Sequence, residues 1–304
     1  MSDLPSAAEL EEITGAAAPT AADIALGDCL LSEALDMPLP AEVRLSLATA
    51  LAEAGFRRIG LTSLRDPARF PAFADAEALL RAAPRRPGLA WQVHCPDLMA
   101  VRRALVARDG GWPPEEVLLP IAATDAASLA LFGEDRAARW ASLAAMAAQA
   151  QGSFALCGSI AAAFAEGTEP AGVLADAERL AGLGITRITI VDDTGLATPP
   201  RVRDLIGWLH GGLPTASFVA RFADRRGTGL ANTLAAIESG LAEADATLGG
   251  AGGFCCAEDL AAALAAMGLG TGLDPAALHR AGRAAEQALG QRLHSRILRL
   301  GDEG

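Results

Sequence analysis

Asp192 and Asp193 form an adjacent pair of carboxylates in the run Ile190-Val191-Asp192-Asp193-Thr194-Gly195. Two neighbouring acids suit a general base or a cation site; alternatively one caps the helix whose start is marked by Thr198 and Pro199. His94 ends an apolar β-type run, whereas His210 closes a helical segment and His279 and His294 lie in the C-terminal helical stretch. A single imidazole at a strand end suits proton transfer or a structural hydrogen bond. Cys255 and Cys256 follow Gly249-Gly250-Ala251-Gly252-Gly253. The amides of such a run can cradle an anion if a helix begins at Ala257-Glu258-Asp259-Leu260, and a thiol near a helix N-terminus can be acidified, although adjacent cysteines also serve as small buried groups. Arg221, Arg225 and Arg226 concentrate positive charge that can hold a carboxylate or phosphate, or pair with surface acids.

What is missing narrows the chemistry further. The 304 residues contain no lysine and no tyrosine, so all 25 basic residues are arginine. Schiff-base aldol chemistry, a pyridoxal-phosphate linkage and a Walker-type phosphate lysine are therefore excluded. A net charge of -12 opposes sequence-independent nucleic-acid binding, which needs a basic field. No apolar run reaches the length of a membrane span, and Met1 to Asp23 lacks a basic leader before an apolar block. The expected location is the cytoplasm, with the five cysteines as free thiols.

These groups must be held by regular elements. Short apolar or β-branched runs alternate with alanine- and leucine-rich helical patterns, the mark of consecutive βα units. Eight strands are expected: 23–27, 58–62, 89–94, 117–121, 153–157, 187–191, 216–222 and 244–248. Helical segments such as 40–54 and 201–210 end at the glycines Gly55 and Gly211. Eight such units close a (β/α)8 TIM barrel, here one domain over 24–304 after an N-terminal extension over 1–23. A doubly wound open sheet would want a Gly-x-Gly-x-x-Gly turn, which Gly27 to Glu33 does not offer. Barrel chemistry sits at the C-terminal strand ends. Asp28, Cys29, Thr62, Asp224 and Arg225 at those ends, with Arg69 beyond the second strand, become candidate ligand-binding residues.

Several segments together resemble the 3-hydroxy-3-methylglutaryl-CoA lyase family of metal-dependent carbon-carbon lyases, from about Ile24 to about Ile297. The resemblance runs through Pro40-Ala41-Glu42-Val43, Thr62-Ser63 with Pro67, Pro71, Ala74 and Asp75, and Pro96-Asp97-Leu98. It continues through Glu166-Gly167, Asp192 with Gly195, Thr198 and Pro199, and Asp224 with Gly227. Leu230-Ala231-Asn232-Thr233-Leu234 and Gly249-Gly250 with Glu258-Asp259-Leu260 complete it. It implies a barrel that cleaves a hydroxy-acyl thioester with help from a divalent cation. The implied metal ligands are an aspartate in an Arg-Asp pair after strand one, a His-x-His after strand seven and an asparagine after strand eight. Laid on this chain without a gap, the Arg-Asp pair falls on Cys29 and Leu30, and the His-x-His on Arg221 and Ala223. The family's strand-two glutamate falls on Gly60, its basic patch after strand four on Leu129-Ala130-Leu131, and its last loop is cut short to Phe254-Cys255-Cys256-Ala257.

The resemblance with these substitutions predicts no resident metal. Two functions follow as expectations. One is a divergent lyase-like barrel that binds an acyl-CoA or small carboxylate, or pairs with a second copy or an active paralogue as family barrels do. The other is a metal-independent lyase with Asp192 or His94 as base, Arg221 as electrophile and Cys255 as acid. Convergence of those side chains on one pocket would favour the enzyme, and filling of the pocket by Phe222 and Phe254 would disfavour it.

Overall fold

The computed structural model describes residues 24–35 and 38–300, so the expected extension over 1–23 lies outside the described residues. Eight parallel strands close on themselves in sequence order: β1 Ala25–Asp28, β2 Arg58–Ser63, β3 Ala90–His94, β4 Glu116–Ala122, β5 Ala155–Ala161, β6 Arg187–Asp192, β7 Ser217–Phe222 and β8 Glu243–Ala246. The closing pair, β1 with β8, sets Ala25 opposite Glu243 and Asp28 opposite Ala246. Helices cover the outside, as parallel strands buried on both faces require.

Local sequence explains the covering. The helix Pro199–Gly212 starts with proline at its first turn and buries Val202, Leu205, Ile206 and Leu209, one stripe at helical spacing. It runs through Gly211, and Leu213 caps it. Gly55, by contrast, has φ +101° after the helix Ala41–Glu53, and a Cβ there would lie 2.8 Å from the Gly272 carbonyl oxygen. Glycine is required at that close approach.

The barrel interior carries a ladder of ion pairs where apolar layers are usual. Arg187 reaches Glu116 at 2.5 Å and Glu243 at 3.5 Å; Arg58 reaches Glu243 at 2.5 Å and Asp245 at 2.6 Å. Arg221 then joins Asp245 to Glu33, each at 2.7 Å. Gly27 makes room for this ladder, since a Cβ there would sit 2.3 Å from Asp245 Oδ1 and 2.9 Å from the Arg58 guanidinium. Charge thus runs from the N-terminal strand ends to the mouth.

Candidate ligand site at the barrel mouth

A cavity of about 460 Å³ opens at the C-terminal end of the strands. Its floor and lower wall include His94 at the end of β3, Pro120 on β4, Ser159 on β5 and Val191 on β6. The loop after β2 supplies Arg65, Arg69, Phe70 and Phe73, the helix after β4 supplies Leu131 and Phe132, and Phe254 closes the β8 side. Glu33 and Asp193 add acid to the rim.

His94 is buried, and its Nδ1 lies 3.1 Å from Ser63 Oγ. Burial, reinforced by the charges of Arg65, Arg221 and Arg139, pushes its pKa well below the usual imidazole value. The ring is neutral near pH 7, able to exchange hydrogen bonds but unable to act as an imidazolium acid. Asp193 accepts from the Ala162 amide at 3.0 Å, and burial raises its pKa. Arg65 lies with Cζ 4.8 Å from the Phe70 ring centroid, while Arg69 lies 5.8 Å from the same ring.

Of the sequence candidates, His94, Arg69 and Asp193, the second acid of the carboxylate pair, line this cavity, and the others do not. Asp192, the last residue of β6, is fully buried. Its Oδ1 accepts from Thr194 Oγ1 at 2.7 Å, Gly195 N at 2.8 Å and Leu196 N at 3.1 Å, and Oδ2 accepts from Ala197 N at 2.9 Å. With its lone pairs committed to the loop it has no aim at a substrate, so the base role expected of it is corrected to a loop-organising one. Cys255 is buried outside the sheet, its amide bonded to Phe222 O at 3.0 Å, and burial pushes its thiol up to about 12. A thiol so placed is no acid at the mouth. Arg221 is 1% exposed and bound on both sides by carboxylates, with Nε 3.2 Å and Nη2 2.7 Å from Asp245 Oδ2. Although burial opposes its charge, the surrounding acids, Glu33 first, hold its pKa above the usual value. It is a structural cation of the ladder, because its charge is already met by protein acids.

The ligand-binding candidates divide similarly. Asp28 accepts from Leu30 N at 2.8 Å and Leu248 N at 3.0 Å, stapling β1 to the loop after β8, and burial raises its pKa to about 8. Cys29 is buried with Sγ 3.7 Å from Ala246 O, and burial raises its pKa. Thr62 is buried, with no hydrogen-bond partner for Oγ1 among the described residues. Asp224 accepts from Gly229 N at 2.5 Å, ordering the turn into the helix Gly229–Glu238. Arg225 is exposed and packs its stem over Gly195. The first two amides of the glycine run are taken up within the chain: Gly249 N donates to Glu258 Oε2 at 2.8 Å and Gly250 N to Thr247 O at 3.1 Å. Sequence reasoning missed Glu33, Ser63, Arg65, Phe70, Phe73 and Phe132; of the two phenylalanines it named as candidate fillers, Phe254 lines the cavity and Phe222 does not. The position of Arg65 two residues past β2 was the available signal.

The divalent cation implied by the resemblance does not fit these residues. Arg221 holds the acids nearest it, Asp245 and Glu33, and its own charge repels a metal ion. At Gly60 a Cβ would lie 2.2 Å from Ser32 Oγ, leaving no space for an acidic side chain. Among the described residues no group of three His, Cys, Asp or Glu is arranged to hold a metal.

A closed parallel barrel with its cavity among the C-terminal loops defines the class, an α/β barrel of the kind that binds small molecules at its mouth. Comparison with known proteins is more specific: the chain belongs to the HMGL-like family, whose model matches residues 32–284. Mitochondrial hydroxymethylglutaryl-CoA lyase of Rattus norvegicus is 28% identical over 275 residues, spanning 85% of this chain and 82% of that protein. The cytoplasmic 3-hydroxy-3-methylglutaryl-CoA lyase of Mus musculus is 25% identical, spanning 85% and 78%. Among solved structures, an HMG-CoA lyase from Acenitobacter baumannii in complex with coenzyme A and 3-methylmalate superposes with TM-score 0.86 at 26% identity, covering 94% of this chain and 97% of that one. The hydroxymethylglutaryl-CoA lyase of Pseudomonas aeruginosa, at 23% identity and TM-score 0.86 over 93% of this chain and 99% of its own, shares the fold.

Proposed function

We propose that this chain is a divergent member of the hydroxymethylglutaryl-CoA lyase family that retains a ligand site at the barrel mouth and has lost metal-dependent carbon-carbon cleavage. The observation that carries this reading is the Arg221 guanidinium held between Asp245 and Glu33, at the position where the family resemblance expects a metal-binding imidazole. A cation there is already supplied by the protein, covalently and permanently. Loss of a catalytic metal costs about 10³-fold or more in rate. The ligand class is an acyl-CoA or a small carboxylate, supported by the relative from Acenitobacter baumannii that is described with both coenzyme A and 3-methylmalate. The cytoplasm remains the proposed compartment; among the described residues no helix is long and apolar enough to cross a membrane.

A metal-independent lyase is supported less well, because of the proposed quartet of Asp192, His94, Arg221 and Cys255 only His94 lines the cavity. The deciding assay offers hydroxymethylglutaryl-CoA to the purified protein with Mg²⁺, Mn²⁺ or Zn²⁺ and follows acetoacetate, alongside metal analysis of the same sample. No acetoacetate above background is expected. Turnover accompanied by a stoichiometric metal would refute the reading.

A further inference from the structure

Two arginines of the cavity wall, Arg65 and Arg69, make no ion pair among the described residues. They differ in setting. Arg69 is exposed, whereas Arg65 is half-buried and its Nε is shut away from solvent with no hydrogen-bond partner. The sealed Nε is out of a ligand's reach, but a partly desolvated guanidinium with no carboxylate in contact still favours an incoming anion at its outer end. Glu33, an acid of the same cavity, is already engaged at 2.7 Å by Arg221, and the charges of Glu33 and Asp97 act on Arg65 without coming into ion-pair contact with it. Around this cation the wall is aromatic: Phe70 stacks under it, and Phe73, Phe132 and Phe254 line the same space.

We propose that Arg65 anchors a site for a monocarboxylate carrying an aryl or branched apolar group. This rests on the reading of the mouth as a ligand site and names the ligand class. The carboxylate meets the Arg65 guanidinium in a charge-assisted bond, and the apolar part lies against the phenylalanines. A second carboxylate on the ligand would meet the rings, the rim acids Glu33 and Asp193, or the exposed Arg69, whose solvated charge adds little, so dicarboxylates are disfavoured. The volume, about 460 Å³, falls within the usual range for small-molecule pockets.

Isothermal titration of the full chain with phenylacetate, its neutral analogue 2-phenylethanol and 3-methylglutarate tests this. Wild type is expected to bind phenylacetate more tightly than either of the others. Arg65→Gln should weaken phenylacetate about tenfold or more while leaving 2-phenylethanol unchanged. The inference is overturned if phenylacetate does not bind, if 3-methylglutarate binds as tightly, or if Arg65→Gln leaves phenylacetate affinity intact. Circular dichroism confirms folding of the variant; should it not fold, Arg65→Met and the wild-type ranking of the three compounds decide. Turnover of hydroxymethylglutaryl-CoA with metal would refute the loss of cleavage without altering these affinities, so the two failures are distinguishable.

Discussion

Arg221 shows how a residue can look catalytic and be structural. At 1% exposure its guanidinium is affordable only because Asp245 and Glu33 meet it, and Asp245 is in turn held down to about 2, against burial, by Arg58 and Arg221. Removing one partner of such a network leaves the others buried and uncompensated, which costs more than the pair ever contributed. Arg221→Ala should therefore destabilise the fold by about 3–5 kcal/mol, read as a lower urea midpoint with an unchanged slope. A midpoint equal to that of wild type would show that the ladder does not hold the barrel. The residue type was legible in the sequence, as was its place at the end of β7. Its partners were not, because Glu33 and Asp245 are distant along the chain and no local pattern links them.

At the scale of elements, Asp192 illustrates a carboxylate used by the chain itself. It receives the amides of Gly195, Leu196 and Ala197 and thereby shapes the loop from β6 into the helix Pro199–Gly212. Asp192→Ala should free those amides, raising their hydrogen-exchange rates and costing about 2–4 kcal/mol of stability. Unchanged protection across 195–197 would mean that the turn forms without the side chain. Strand boundaries were legible where β-branched residues mark them, as in Arg58–Ser63 and Arg187–Asp192. They failed at β5, expected over 153–157 and observed at Ala155–Ala161. Its second half begins with Gly158-Ser159, which reads as a loop, yet Gly158 lies in the strand packed closely under the covering helix and turn: a Cβ there would come within 3.0 Å of Ile185 and 3.1 Å of Leu180, a tight contact for the methyls to absorb. Strand eight likewise ends at Ala246, and Leu248 begins a turn.

For the molecule as a whole, burial of acid leaves a signature in pH. Asp28 is pushed up to about 8 by burial, against about 3.9 in an unfolded chain. Between those values the folded protein keeps a proton that the unfolded chain has released. Its contribution is fully present below about pH 4 and falls as pH rises toward 8, by up to about 1.4 kcal/mol per unit. Global stability measured by urea unfolding from pH 5 to 8 should show this downward component, and Asp28→Asn should flatten it. A variant with the same slope as wild type would assign the pH dependence to other groups. The slope is the informative quantity, since the substitution also alters the bonds to Leu30 and Leu248.

The sequence by itself determined the barrel and the family resemblance, because alternating βα periodicity and ordered landmarks are properties of the chain read in one dimension. It also determined which chemistries a protein without lysine cannot perform. Only the tertiary structure decided what the polar residues do. Closing eight strands brings side chains from remote segments within 3 Å of one another, and whether a carboxylate or guanidinium is free depends on those neighbours. Arg221 came out satisfied by Glu33 and Asp245, Asp192 by its own loop, and Arg65 with no ion-pair contact among the described residues and its Nε without an acceptor.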